Sequence, residues 1–328
     1  MIQPVTPALI DTQTAGASPV DAPVVLLTGA HGFTGVWVRR ELEAAGYRVC
    51  GAVTGTPADG EVAFDLCERA AVAQAIATLR PDYIVHLAAI SFVGHAEPVD
   101  FYRVNVLGTE HLLQGCVAAK HVPRKILIAS SANIYGSVPV AHIEEDQPPA
   151  PVNHYAISKL AMEHMLRMWF DRLPIVVTRP FNYTGVGQRA DFLVPKIVSH
   201  FAAKKPAIEL GNLDVARDFS DVRMVAHAYR LLLESDARGG TYNICSENLV
   251  SLREIVAMLE KLAGYQIDVQ VNPAFVRPND IAKLGGSSAR LRDAIGELPL
   301  LPLSDTLAWM YHDAAGQETA RQQAANRA

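Results

Sequence analysis

The chain has 328 residues; half are apolar, 19% are charged, and 29 basic against 34 acidic side chains give a formal net charge of −5. That composition excludes a globally disordered chain and argues against a general nucleic-acid binder, while a local basic pocket for an anionic ligand stays open. At about 150 residues per domain the length suits two domains, or one large α/β unit with an appended lobe.

Residues 1–21 lack the basic start and apolar core of a signal peptide and read as a flexible N-terminal arm. No run reaches 18 apolar residues, so no membrane span is expected. Cys50, Cys67, Cys116 and Cys245 form no CxxC pair. Neither a disulfide framework nor a metal site is therefore expected, and the cytoplasm is the simplest compartment. Val24-Val25-Leu26-Leu27-Thr28 reads as a strand. Gly29 to Gly35 follow as a Gly-rich turn, 36–45 has helical spacing closed by Gly46, and 47–53 reads as the next strand. Strand, Gly-rich turn, helix and strand suit a dinucleotide: glycines let the backbone approach a pyrophosphate, and the helix start offers it unpaired N–H groups.

The alternation continues. Residues 62–64 lead to Asp65, 70–79 are helical and stop at Arg80-Pro81, and 83–87 form a buried strand ending in Ala88-Ala89. Residues 99–119 give a long helix pattern, and 125–129 a strand ending in Ser130-Ser131. Repeated βα units of this size give an α/β, Rossmann-type doubly wound parallel sheet, with ligands beyond the strands' carboxyl ends. Residues 22–180 are assigned to this core, 181–312 mainly to a small C-terminal substrate-binding lobe, and 313–328 to a tail.

Tyr155 and Lys159 stand four apart on the next helix and share a face. A nearby cation favours the phenolate, which fits Tyr155 to exchange a proton near neutrality. Ser131, at a strand end, is placed to polarise a carbonyl. In the second half, 175–182 form a strand feeding a loop, 241–245 another strand, and 251–263 a helix with Ser251 and Glu254 as a capping box. Arg217 and Arg277 lie in loop-like contexts, and guanidinium groups are suited to a nucleotide diphosphate.

These segments resemble the extended short-chain dehydrogenases/reductases that act on nucleotide sugars. The likeness spans roughly 23–312 and rests on TGAHGFTG (28–35), FDL (64–66), HLAA (86–89), NVLGT (105–109), SSANIYG (130–136) and YAISK (155–159). It implies that Gly29, His31, Gly32, Phe33, Thr34 and Gly35 hold the pyrophosphate. Thr54, Asp65, Leu66, Leu87, Ala88, Ala89 and Asn105 would line or support the rest of the cofactor cleft. Ser131 would polarise the sugar group, Tyr155 act as acid/base, and Lys159 bind the nicotinamide ribose and tune Tyr155. RPFNYTGVGQ (179–188), GNLDVARDFSDV (211–222) and VRPNDIAKLGGSSARLR (276–292) resemble the GDP-hexose branch. By that likeness Val93, Ser131, Asn133, His154, Asn182, Lys196, Arg217, Arg277 and Asp280 line the sugar-nucleotide pocket.

No acidic residue ends the second strand near Val53, and Arg39 and Arg40 follow the Gly-rich turn, so NADP(H) is preferred with NAD(H) also usable. The dehydratase pattern places Thr and an acidic pair where this chain has Ser131-Ala132-Asn133, which favours simple reduction. The implied reaction is reduction of the C4 keto group of GDP-4-keto-6-deoxy-D-mannose to GDP-D-rhamnose. GDP-6-deoxy-D-talose is the epimeric alternative, and a GDP-mannose 4,6-dehydratase or a cofactor-sensing scaffold the rival readings. His154 stands where Pro commonly precedes the Tyr, and either donates to substrate or caps the helix. Relatives of this kind pair through a four-helix interface, so a homodimer is expected, with Val104, Leu107, Met162, Leu166 and Phe170 as candidates for it.

Overall fold

The computed structural model of the chain describes residues 22–92, 95–138, 142–275 and 283–325. Its first half runs β1 (Val24–Thr28), α1 (Phe33–Ala44), β2 (Arg48–Val53), β3 (Glu61–Ala63), α2 (Arg69–Leu79), β4 (Tyr83–His86), α3 (Pro98–Tyr102), α4 (Thr109–Ala118), β5 (Lys125–Ala129), α5 (His154–Leu166) and β6 (Ile175–Pro180). The second half runs β7 (Asn182–Thr184), α6 (Leu193–Ala202), β8 (Ala207–Leu210), β9 (Ala216–Asp221), α7 (Val222–Glu234), β10 (Thr241–Ile244), β11 (Leu249–Ser251), α8 (Leu252–Ala263), β12 (Asp268–Val271), β13 (Lys283–Leu284), α9 (Ala289–Ile295) and α10 (Leu303–Ala325).

Seven strands pair in parallel in the order β3-β2-β1-β4-β5-β6-β10. β1 is VVLLT and wholly buried, as a strand covered on both faces requires. Successive side chains alternate across the sheet. Val25 and Leu27 join Val85, Leu127 and Val176 against α1 and α7, where Val38, Leu42, Tyr229 and Leu232 are buried. Leu26 joins Ile84, Ile126 and Ile175 against α2, α4 and α5, through Ile76, Leu112, Met162 and Leu166. Each such side chain contributes roughly 1.5–3 kcal/mol on burial. The order reverses between β1 and β4, and the crevice that a ligand uses in such a sheet opens there.

One helix departs from its sequence pattern. Residues 99–119 were expected to form one unbroken helix, but Arg103–Gly108, between α3 and α4, is π-helical. The Asn105 carboxamide on this wider segment accepts from the Ile90 N–H at 2.9 Å and donates to the Ile90 carbonyl at 3.1 Å and the Ser158 hydroxyl at 3.0 Å. Three tertiary hydrogen bonds on one buried side chain offset the irregular turn, a common arrangement beside functional sites.

The second lobe is built on β9, which pairs with β7 and β13 in parallel and with β11 antiparallel, while β8 pairs with β12. Phe201, Phe219, Ile255, Leu259 and Leu307 form its separate core. The Ser251–Glu254 capping box starts α8 as its sequence implies. Asp313 to Ala325, read as part of a tail, continue α10.

Candidate active site

Close packing makes glycine necessary at the turn after β1. A Cβ on Gly29 would lie 2.9 Å from the Ala88 nitrogen, and one on Gly35 would lie 2.1 Å from the Gly29 carbonyl oxygen. Gly29 also has φ +72°. Gly32 is the N-cap of α1 and supplies no side chain to the first-turn N–H groups. A bare helix N-terminus over a tight glycine turn suits a pyrophosphate. Around it stand half-buried Leu87, Ala88 and Ala89 past β4, exposed Thr54 past β2, exposed Asp65, and buried Leu66. The Asp65 carboxylate accepts from the Cys67 N–H at 2.8 Å, fixing the bend that presents it. This cradle fits a dinucleotide: Gly29, Thr54, Asp65 and Leu87 all follow the carboxyl ends of neighbouring parallel strands.

The two arginines of α1 part ways. Arg40 is stacked 4.7 Å over the Trp37 ring, so it is not directed toward β2. Arg39 does lie there: it approaches Glu61 at 3.4 Å and occupies the space over Gly51, where an added Cβ would meet its guanidinium at 2.1 Å. Glu61 also binds His31 Nε2 at 2.6 Å and accepts from the Ala58 N–H at 3.0 Å. Glu61 thus places a carboxylate beside Gly51 of β2, two residues before the strand end at Val53. No motif marks Glu61, since strand pairing alone brings it beside Gly51.

Asn153 caps α5, accepting from the Ala156 N–H at 2.9 Å. The helix then turns Tyr155, Ser158 and Lys159 inward, where all three are buried. Ser131 meets them from the end of β5. Its hydroxyl accepts from the Asn133 N–H at 3.2 Å and hydrogen-bonds Tyr155. Lys159 Nζ donates to the Ala129 carbonyl at 2.7 Å. Asn105 supports this face through Ser158, whose hydroxyl donates to the Tyr155 carbonyl at 2.8 Å. Below it, His86 holds Thr28 at 2.8 Å and Thr109 at 2.9 Å, and burial lowers it to about 3. His86 is therefore a neutral structural link.

Burial pushes Tyr155 up to about 12, with the Ser131 hydrogen bond opposing the rise. Burial also lowers Lys159 to about 8. The sequence expectation was a phenol drawn down by its lysine. Desolvation is the largest influence on both groups here. Tyr155 therefore rests as a neutral proton donor beside a lysine that sheds its charge readily.

His154 is not the helix cap. Its Nδ1 lies 3.0 Å from the Tyr102 hydroxyl, with the two rings edge-on. Asn133 sits on the short turn Ala132–Tyr135. In the second lobe Arg217 lies on β9, not in a loop. The β7–β9 register sets Asn182 opposite Phe219, two residues from Arg217 and on the same side of the ladder. Lys196 Nζ donates to the Glu209 carbonyl at 2.8 Å and lies 4.4 Å from the Phe275 ring centre. Val93, Arg277 and Asp280 lie outside the described residues. Arg179, inside the RPFN run, is held bidentately by Glu163 at 3.0 and 2.6 Å and serves structure.

The NAD dependent epimerase/dehydratase family matches residues 25–245. The chain belongs to that family. It is 37% identical over 275 residues to the GDP-6-deoxy-D-talose 4-dehydrogenase of Aggregatibacter actinomycetemcomitans, covering 83% of this chain and 91% of the relative. It is 34% identical to the GDP-6-deoxy-D-mannose reductase of Pseudomonas aeruginosa, covering 69% and 78%. The structure of Pseudomonas aeruginosa RMD complexed with NADPH superposes with a TM-score of 0.81 at 30% identity, covering 90% of this chain and all of that one. The Thermus thermophilus UDP-glucose 4-epimerase complexed with NAD gives 0.79 at 29% identity, covering 89% and 99%. A family member with this site is a nicotinamide-dependent enzyme of sugar-nucleotide oxidoreduction or epimerisation.

Proposed function

We propose that this protein reduces the C4 keto group of GDP-4-keto-6-deoxy-D-mannose with NADPH. Bound in the cradle, the nicotinamide supplies the hydride that adds to sugar C4. Tyr155 gives its phenolic proton to the C4 oxygen as negative charge develops there, and Ser131 donates a hydrogen bond to the same oxygen. Lys159 holds the ribose and supports the phenolate left behind. Asn182, Lys196, Arg217 and Arg277 take the GDP moiety. NADPH as reductant is supported by the cofactor in the RMD structure.

The observation that carries the reading is Ala132. Dehydration across C5–C6 needs a second acid and base beside the sugar. Next to Ser131 this chain has a buried alanine, which exchanges no proton. Incubation with GDP-mannose alone should leave it unchanged, whereas the keto sugar with NADPH should be consumed. The reverse result would support a 4,6-dehydratase.

The first product we assign is GDP-D-rhamnose. A second reading, GDP-6-deoxy-D-talose, is favoured by the 37% identity to the talose dehydrogenase. The C4 proton separates them by NMR. It is axial in the rhamno product, with large couplings to both neighbours, and equatorial in the talo product, with small ones.

A further inference from the structure

We propose that Tyr183 is a positioning residue which couples occupancy of the dinucleotide turn to the sugar-nucleotide pocket. The inference rests on the GDP-sugar reading above and adds a link between its two ligands. Tyr183 lies on β7, next to Asn182. Its hydroxyl is hydrogen-bonded to that of Thr34 at 2.7 Å, across 149 positions of sequence. Its ring is stacked on Phe33, with centroids 6.0 Å apart and planes 12° from parallel. Phe33 and Thr34 are the first two residues of α1 after its Gly32 cap, so their N–H groups are among those a pyrophosphate would take.

A second contact fastens the same two elements. Trp37, one turn further along α1, donates its indole N–H to the Val186 carbonyl at 3.0 Å and packs edge-on against Trp309 of α10. Between these anchors, Gly185 leaves no room for a Cβ, which would lie 2.5 Å from Val222. The segment 183–186 is thus held against the phosphate-binding turn of α1. β7 in turn pairs with β9, which carries Arg217.

Ordering Thr34 on a bound phosphate therefore fixes the Tyr183 hydroxyl. Tyr183 in turn fixes the strand whose neighbours on the ladder take the GDP. A site built this way binds GDP more tightly once the cofactor is seated, and by reciprocity binds the cofactor more tightly once GDP is present.

Calorimetric titration of the wild-type chain with GDP, alone and with saturating NADP, tests the link. We expect GDP to bind at least ~5-fold more tightly with NADP present, the low end of ordinary coupling. Tyr183→Phe keeps the ring stack and loses the hydroxyl, and should bring the ratio close to one. Thr34→Val should do the same, and the double variant should go no further, because one shared bond is lost. Thr34→Ser should restore the ratio. With NADPH saturating, Tyr183→Phe should raise the KM for the keto sugar and largely spare kcat. If Tyr183→Phe fails to fold, the Thr34→Val and Thr34→Ser pair decides. GDP binding that ignores NADP in the wild type, or coupling that survives loss of either hydroxyl, overturns the proposal and leaves the functional reading standing. Absence of GDP binding in both conditions contradicts that reading and removes the proposal with it.

Discussion

Tyr155 carries the most exposed chemical claim. Tyr155→Phe removes a hydroxyl while nearly conserving volume, so folding and cofactor binding should hold. Turnover on the keto sugar should fall ~10²–10⁴-fold, the usual worth of a placed general acid. Lys159 gives the pH dependence. Burial lowers it to about 8, and in the proposed role its charge meets the nicotinamide ribose of the cofactor. NADP affinity should therefore weaken as pH rises through 8, because seating the cofactor then requires proton uptake. A dissociation constant flat from pH 7 to pH 9.5 would contradict it. His86 predicts the acid limb of stability. Its folded value near 3 lies below the unfolded 6.5, so the unfolded chain binds the extra proton between them. Stability is then full above about 6.5 and declines as pH falls toward 3. Unfolding free energies of His86→Gln from urea titration should show a pH slope shallower by up to ~1.4 kcal/mol per unit in that window. The proposed catalytic residues could be named from sequence because each sits in a short contiguous motif. Tyr183 and Glu61 could not, since each acquires its partners only through pairing of distant segments.

Among the elements, the helix starts and buried strands follow from local pattern, whereas the π-helical stretch at 103–108 does not. Its sequence, RVNVLG, has ordinary helical character. What widens the turn is the set of bonds Asn105 makes to Ile90 and Ser158, and these exist only once β4, α4 and α5 are assembled. Asn105→Leu should remove three hydrogen bonds and strand the Ile90 amide, at about 1–3 kcal/mol for a buried unsatisfied group. The active-site helix should loosen with it, visible as lost amide-exchange protection at 155–159. The Gly-rich turn makes the opposite case, because its residue types announce its geometry. Gly35→Ala places a methyl within 2.1 Å of the Gly29 carbonyl. It should abolish NADP binding while the second lobe keeps its own core.

At the scale of the molecule, we propose that two copies pair through α3, α4 and α5. Val99 on α3 is 66% exposed, Leu107 on the π-helical segment 52% and Met168 just past α5 64%, an apolar set on neighbouring segments. Met162 and Leu166, read from sequence as candidates for that face, are fully buried against the sheet. Helical spacing alone does not say which side of α5 meets the core. Light scattering should give a mass near twice 35.5 kDa, and Leu107→Arg should return it to one copy with the melting temperature little changed. The doubly wound parallel sheet and its Gly-rich turn were legible from alternating βα units. The lobe was less so, because its short strands pair with partners far along the chain. Among the described residues no helix is long and apolar enough to cross a membrane. The central claim, hydride delivery to sugar C4, is tested most directly with a reduced cofactor carrying deuterium at both positions of nicotinamide C4. With GDP-4-keto-6-deoxy-D-mannose, one deuterium should appear at C4 of the product for each cofactor oxidised. Deuterium at C6, or oxidation of no cofactor at all, would contradict the account.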